Sequence, residues 1–262
     1  MAWHGETLVG FDLETTGTDP LEARIVTASI VEVDGGGDVA RRRDWLADPG
    51  VDIPDQAAAI HGITTERATA EGRPVREVAD EIAKALAEYW EDGVPVVAYN
   101  ASFDLTLLAA ELRRHGLAPM EERLGGTGIG PVVDPYTIDR AVDRYRRGKR
   151  TLEAVCGEYG VVLESAHEAA ADALAAVRVA VAIAERHRRV ADLDPAELHA
   201  RQIDWYRAWA EDFQAFLRRK GNAEAVVDTA WPLRDAAVPT HQPPPGRGPA
   251  VSSPSGRRAA AR

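Results

Sequence analysis

Cysteine is almost missing from this sequence: one residue, Cys156, stands in 262. No intrachain disulfide can form, and a reducing compartment is expected. The lone thiol sits in an apolar segment, residues 152–159, where it reads as a small core side chain. Also missing is an apolar run of the roughly 20 residues that a helix needs to span a bilayer. The first residues carry no basic stretch followed by an apolar one, the mark of a secretory leader. The expectation is a soluble, cytoplasmic protein with no membrane association. Positive charge is in deficit, with 31 Lys and Arg against 42 Asp and Glu and a net charge of −11. A polyanionic partner would therefore be held by local basic patches rather than by the overall field. A site that gathers carboxylates around cations adds to that negative total. No internal repeat is present.

What is there reads as one α/β domain with an extension. Residues 7–13, 24–33 and 38–46 are β-rich, and the turn Gly35-Gly36-Gly37 joins the last two, predicting an antiparallel meander. Val78, Ile82, Leu86 and Tyr89 make one stripe of a helix over 75–90. A short buried strand at 94–99 leads into a helix from Ala101 to about His115, which Gly116 ends. Residues 131–134 read as a last strand, with short helices after it and a long helix at about 167–188. The domain is expected to cover residues 1–190. A helical extension at 191–231 starts with an Asp194 cap, Pro195 at the first helical position and Glu197 to complete a capping box. Its stripe of Ile203, Tyr206, Ala210, Phe213 and Leu217 is expected to pack back on the domain, or else to dock a partner. From Pro232 to 262 the chain turns to Pro, Gly, Ser, Ala and Arg, a composition expected to be disordered.

Three pieces carry chemistry. Asp12 and Glu14 flank Leu13 at the end of the first strand, so a side-chain period of two points both carboxylates to one face. Such neighbours repel unless a cation or a proton lies between them. Asn100 ends a strand as a helix cap, and Asp104 follows four residues on, along the same side. His167 and Asp172 stand five apart, about 140° around a helix. They converge only if His167 precedes the helix that holds Asp172. Alanines around Asp172 would let that helix come close to its neighbours. His4, His115, His187, His199 and His241 read as exposed loop residues, Asp134 as a helix cap before Pro135, and Asp139 as surface charge. The basic run at 140–150 reads either as a guide for a polyanion or as solvated surface.

In order and spacing these pieces resemble the DnaQ-like 3′→5′ exonuclease superfamily, in the DEDDh subgroup that includes the epsilon proofreading subunit of DNA polymerase III. The segment Phe-Asp-Leu-Glu-Thr-Thr-Gly at 11–17 resembles its first motif, Asn100 to Asp104 its second and His167 to Asp172 its third. His61-Gly62-Ile63 also falls where that family carries a similar segment. The likeness covers about residues 5–188, and none of the five positions departs from the pattern. It implies a ribonuclease-H-like fold, α/β with a mixed five-stranded sheet flanked by helices, to which the C-terminal helical extension read above is added. It implies Asp12, Glu14, Asp104 and Asp172 as metal ligands for two Mg²⁺ or Mn²⁺ ions about 3.5–4 Å apart. It makes His167 the general base, with Asp12 shared by both ions. Thr15, Thr16, His61 and Phe103 would bind the terminal nucleotide. The implied activity is release of nucleoside monophosphates from DNA 3′ ends, single-stranded ones foremost, in proofreading or repair and with a polymerase or repair protein as possible partner. An RNA-trimming nuclease and an accessory subunit remain open as alternatives.

Overall fold

A computed structural model of the chain describes residues 2–164, 166–235 and 237. Its strands are β1 (Leu8–Thr15), β2 (Ile25–Val33), β3 (Val39–Asp48), β4 (Arg73–Pro74), β5 (Val96–Val97) and β6 (Val132–Val133). Its helices are α1 (Asp55–His61), α2 (Thr65–Glu71), α3 (Val75–Glu91), α4 (Ala101–Arg114), α5 (Met120–Arg123), α6 (Pro135–Val142), α7 (Leu152–Tyr159), α8 (Ala169–Arg186), α9 (Arg188–Ala191) and α10 (Pro195–Arg219). The sheet order is β4-β3-β2-β1-β5-β6. β1, β2 and β3 form the antiparallel meander, while β5 runs parallel to β1 and β6 parallel to β5. The sheet is mixed, as expected, but among the described residues it has six strands rather than five. The extra one is β4, where Pro74 holds Arg73 extended beside Ala47.

Alternation along β1 sorts its side chains between two helical layers. Val9, Phe11 and Leu13 join Ile25, Ile30, Ile82, Leu86, Leu105 and Leu108 beneath α3 and α4. Leu8 joins Val31, Val97 and Val133 beneath α7 and α8. Asp12 and Glu14 share the parity of Leu8, so the carboxylates point toward α8. That helix buries Ala169, Ala170, Ala173, Ala176 and Ala180 and lies very close to the strand. A Cβ on Gly10 would stand 2.5 Å from the Ala173 carbonyl oxygen. Gly10→Val is therefore expected to push α8 off β1, costing about 1–3 kcal/mol of stability. Activity should fall further than stability, since Asp172 moves with α8. A urea melt paired with an oligonucleotide digestion checks both.

Asp194 accepts from the Glu197 backbone and Glu197 answers with its side chain, the expected capping box. α10 folds back on the domain: Gln202 accepts from Asp134 N–H at 2.6 Å and donates to the Val132 carbonyl at 2.8 Å. The chain after α10 continues across it, with Val227 and Trp231 buried and Arg234 N–H donating to Thr106 Oγ1 at 2.9 Å. The tail expected to be disordered lies, from residue 238 on, outside the described residues. Among the described residues no helix is long and apolar enough to cross a membrane.

Several single-residue expectations are corrected. His199 is a half-buried residue of α10 rather than a loop residue, and its Nδ1 accepts from Val132 N–H at 3.1 Å. His115 lies 3.1 Å from the buried Glu111 carboxylate. His241 falls outside the described residues. Asp139 is not surface charge: it is fully buried, pairs with Arg146 and Arg150, and accepts from Tyr159 Oη at 3.1 Å. The basic run is thus divided: Arg146 and Arg150 loop back to neutralise one carboxylate, while Arg144, Arg147 and Lys149 stay exposed.

Candidate active site

β1 ends where the sheet splits from α4 and α8, and three elements deliver acids to that point. Asp12 and Glu14 come from β1. Asp104 sits in the first turn of α4, nearly buried, and its Oδ1 accepts from Leu13 N–H at 3.1 Å. Asp172 sits in the first turn of α8. His167 precedes α8 with φ 68°, and its N–H reaches Asp172 Oδ2 at 3.4 Å. The 140° problem is solved by that loop, whose left-handed step turns the imidazole back over the helix start. Glu14, His167 and Asp172 each bring one donor atom to within 4.8 Å of the others.

Asn100 stands just before α4 with φ 64°, but its side chain forms no cap bond. The expected cap is therefore absent. Asp134 holds that junction instead, accepting from Asn100 N–H at 2.9 Å, Tyr136 N–H at 3.0 Å and Thr137 Oγ1 at 2.8 Å. As expected, it is also the cap of α6.

The acids do not tolerate one another in the absence of counter-charge. Burial, then Asp104, Glu14 and Asp172, hold the Asp12 carboxyl well above its usual range. Burial and Asp172 push Glu14 up to about 8. Burial raises Asp104 against the lowering pull of backbone hydrogen bonds, and raises Asp172 against His167. Among the described residues Asp172 Oδ1 is buried and has no hydrogen-bond partner. A cluster of oxygen donors with one orphaned buried oxygen suits hard divalent cations.

Beside the acids opens a cleft of about 1370 Å³. Glu14 lines it together with Thr15, Thr16, His61 and Phe103, the residues expected to meet a terminal nucleotide. The threonine hydroxyls also fix the turn after β1, Thr15 Oγ1 donating to the Gly17 carbonyl at 2.7 Å and Thr16 Oγ1 accepting from Arg24 N–H at 3.0 Å. Burial and His167 lower His61. The far wall of the cleft carries Tyr136, Arg140, Trp205, Trp209 and Phe213. The sequence reading missed Tyr136 and gave Trp205, Trp209 and Phe213 no part in the site, while Arg140 entered it only as the first residue of a basic run that could guide a polyanion.

A mixed sheet that gathers acids at one strand end, beside a cleft, defines an α/β enzyme of the ribonuclease-H-like nuclease type. The profile of the Exonuclease family matches residues 9–180, and the chain belongs to that family. It is 33% identical over 173 residues to a DNA polymerase III subunit epsilon-like protein of Rhodobacter capsulatus, covering 64% of this chain and 22% of that one. It is 28% identical to DNA polymerase III subunit epsilon of Treponema pallidum, covering 68% and 77%. A PolC-type DNA polymerase III of Pediococcus pentosaceus is 25% identical, covering 64% and 11%. The chain thus spans only 11% and 22% of two of these relatives. E. coli exonuclease I, solved with a dT13 oligonucleotide, shares the fold with a TM-score of 0.59 at 22% identity, over 71% of this chain and 43% of that chain. Exonuclease I of Methylocaldum szegediense matches at 25% identity with a TM-score of 0.56, over 70% and 41%.

Proposed function

We propose that this chain is a 3′→5′ exonuclease that removes nucleoside monophosphates from single-stranded DNA ends. Two divalent cations, Mg²⁺ or Mn²⁺, are held by Asp12, Glu14, Asp104 and Asp172. The observation that carries this reading is the convergence of these four acids, each carboxyl raised by burial and that of Asp12 by the other three as well, beside a cleft that Glu14 lines. Cations bound there supply Lewis acidity and charge neutralisation toward a phosphodiester. His167, exposed and beside Glu14 and Asp172, takes the proton of the attacking water. Asp172 steadies the His167 loop through its backbone N–H. The water oxygen bonds to phosphorus, the bond to the 3′ oxygen breaks, and that oxygen leaves with a proton from solvent. Thr15, Thr16, His61 and Phe103 seat the terminal nucleotide.

DNA as the substrate is supported by the relatives named as polymerase III epsilon and epsilon-like proteins, which also suggest a polymerase or repair protein as partner. Residues 1–190 are proposed as the catalytic unit and 191–231 as its extension. Matched single-stranded DNA and RNA oligonucleotides, labelled at the 5′ end, test the reading. The expected result is a ladder shortening from the 3′ end with Mg²⁺ or Mn²⁺, slowed on blunt duplex, and stopped by chelator or a 3′ phosphate. Unpairing a duplex end costs a few kcal/mol that a single strand avoids. Label released first as a mononucleotide would overturn the polarity, and faster digestion of RNA would overturn the substrate.

A further inference from the structure

Arg140 differs from three of the arginines that follow it in the chain, each of which is met by a carboxylate. Arg144 pairs with Asp212, and Arg146 and Arg150 pair with Asp139. Among the described residues Arg140 forms no ion pair. It donates to Tyr136 Oη, and its guanidinium lies 3.8 Å from the ring centre of Tyr136 and 3.8 Å from that of Trp209. Asp134 acts on it only at a distance, and its oxygens are already taken by Asn100, Tyr136 and Thr137. A half-buried guanidinium without a counter-charge is costly, and two aromatic faces offset only part of that cost. It lines the same cleft as Glu14. A planar fork of donors held between two rings matches the oxygens of a phosphate.

Next to it α10 presents aromatics rather than charge. Trp209 and Phe213 stack at 5.5 Å with 11° between planes, and Phe213 and Phe216 at 6.4 Å with 18°. Trp205, Trp209 and Phe213 stand four residues apart, on one helix face, and all three line the cleft. α10 lies beyond residues 9–180, so its aromatics are not part of the family domain, whereas Arg140 on α6 is.

We infer that the wall made by α6 and α10 is a second subsite of the cleft, which binds the nucleotides upstream of the scissile bond of a single-stranded nucleic acid. Arg140 takes a backbone phosphate, Trp205 stacks on a base, and Trp209 and Phe213, whose faces are covered by Arg140, one another and Phe216, hold the guanidinium in place and offer bases their edges. Because every base has a π-face, the subsite is sequence-tolerant. The inference rests on the exonuclease reading given above, and it explains how a chain of net charge −11 holds a polyanion.

The test compares the thymidine 5′-(p-nitrophenyl phosphate) ester, which fills the terminal site alone, with a twelve-residue oligothymidylate. The variants are Arg140→Met and Trp209→Leu, with Trp209→Phe as the conservative control. KM for the oligonucleotide should rise about tenfold or more in the first two, as the loss of one stacked base or phosphate contact implies. Their kcat, and their hydrolysis of the ester, should stay within about twofold of wild type, and Trp209→Phe should restore oligonucleotide KM. Anisotropy titration of the labelled oligonucleotide in chelator reads binding without cleavage. There Arg140→Met should weaken binding and lower the slope of log K against log salt by about 0.7. Equal losses on both substrates, or unchanged oligonucleotide KM and salt slope, would overturn the subsite. A wild-type protein that cleaves neither substrate would overturn the exonuclease reading, while the anisotropy arm still decides the subsite.

Discussion

Asp12→Ala is expected to remove nearly all hydrolysis and, at the same time, to raise the melting temperature of the metal-free protein. Both halves follow from where the carboxylate sits. It is half-buried and faces Asp104, Glu14 and Asp172, all of which disfavour its charge. Among the described residues its oxygens form no hydrogen bond, so the methyl of alanine leaves no donor unsatisfied. Deletion removes repulsion and a desolvated group, and little else. Asp104→Ala should behave differently, because it also strands the Leu13 N–H that now donates to Asp104 Oδ1. It should be as inactive but less stable than wild type. His167→Ala completes the comparison. That side chain is exposed, so the melting temperature should not move, while the rate should fall by about 10²–10⁴, the usual worth of a general base. Rates on a single-stranded oligonucleotide and melts in chelator give all the values. A fully active Asp12→Ala, or a His167→Ala close to wild type, would undo the assigned roles.

How far the sequence discloses this site depends on the distance over which each signal acts. The pairing of Asp12 with Glu14 is a matter of strand parity, and the structure keeps it. The need for His167 to lie outside the helix of Asp172 follows from helical geometry alone, and its φ of 68° supplies the turn. The capping box of α10 is equally local and equally legible. Asp139 shows the opposite case: its burial is tolerable only because Arg146 and Arg150 return to it around a loop, which no periodicity encodes. α1 and α2 were unread because each spans seven residues, and α1 buries none of them, so neither leaves an apolar stripe. The far wall of the cleft was half-visible. The aromatic stripe of α10 could be seen, but not that folding back would place it across from Glu14.

In chelator, the protein should lose stability steadily as pH rises from about 5 to 8, and divalent cations should abolish that slope. Glu14 shifts from its ordinary 4.5 to about 8, and Asp12, Asp104 and Asp172 are also raised in the folded protein. Between the unfolded and folded values the native state binds more protons than the unfolded chain. The free energy of unfolding therefore falls as pH rises through that window, and the stabilising protons are fully in place only below it. Surface carboxylates paired with arginines act in the other direction; hydrogen bonds from Arg73 and Trp45 hold Glu81 down at about 2, below the window. Cations bound by the deprotonated cluster substitute for its protons, and stabilise by about 2.7 kcal/mol at a hundred times Kd. Melts at pH 5, 6, 7 and 8 in chelator and in millimolar Mn²⁺ measure the effect. The Mn²⁺ shift should be small at pH 5, where protons compete, and largest at pH 8. In Asp12→Ala both the slope and the shift should shrink. A melting temperature flat in pH without metal, or equal with and without Mn²⁺ at pH 8, would mean that the four carboxylates do not form one cation site.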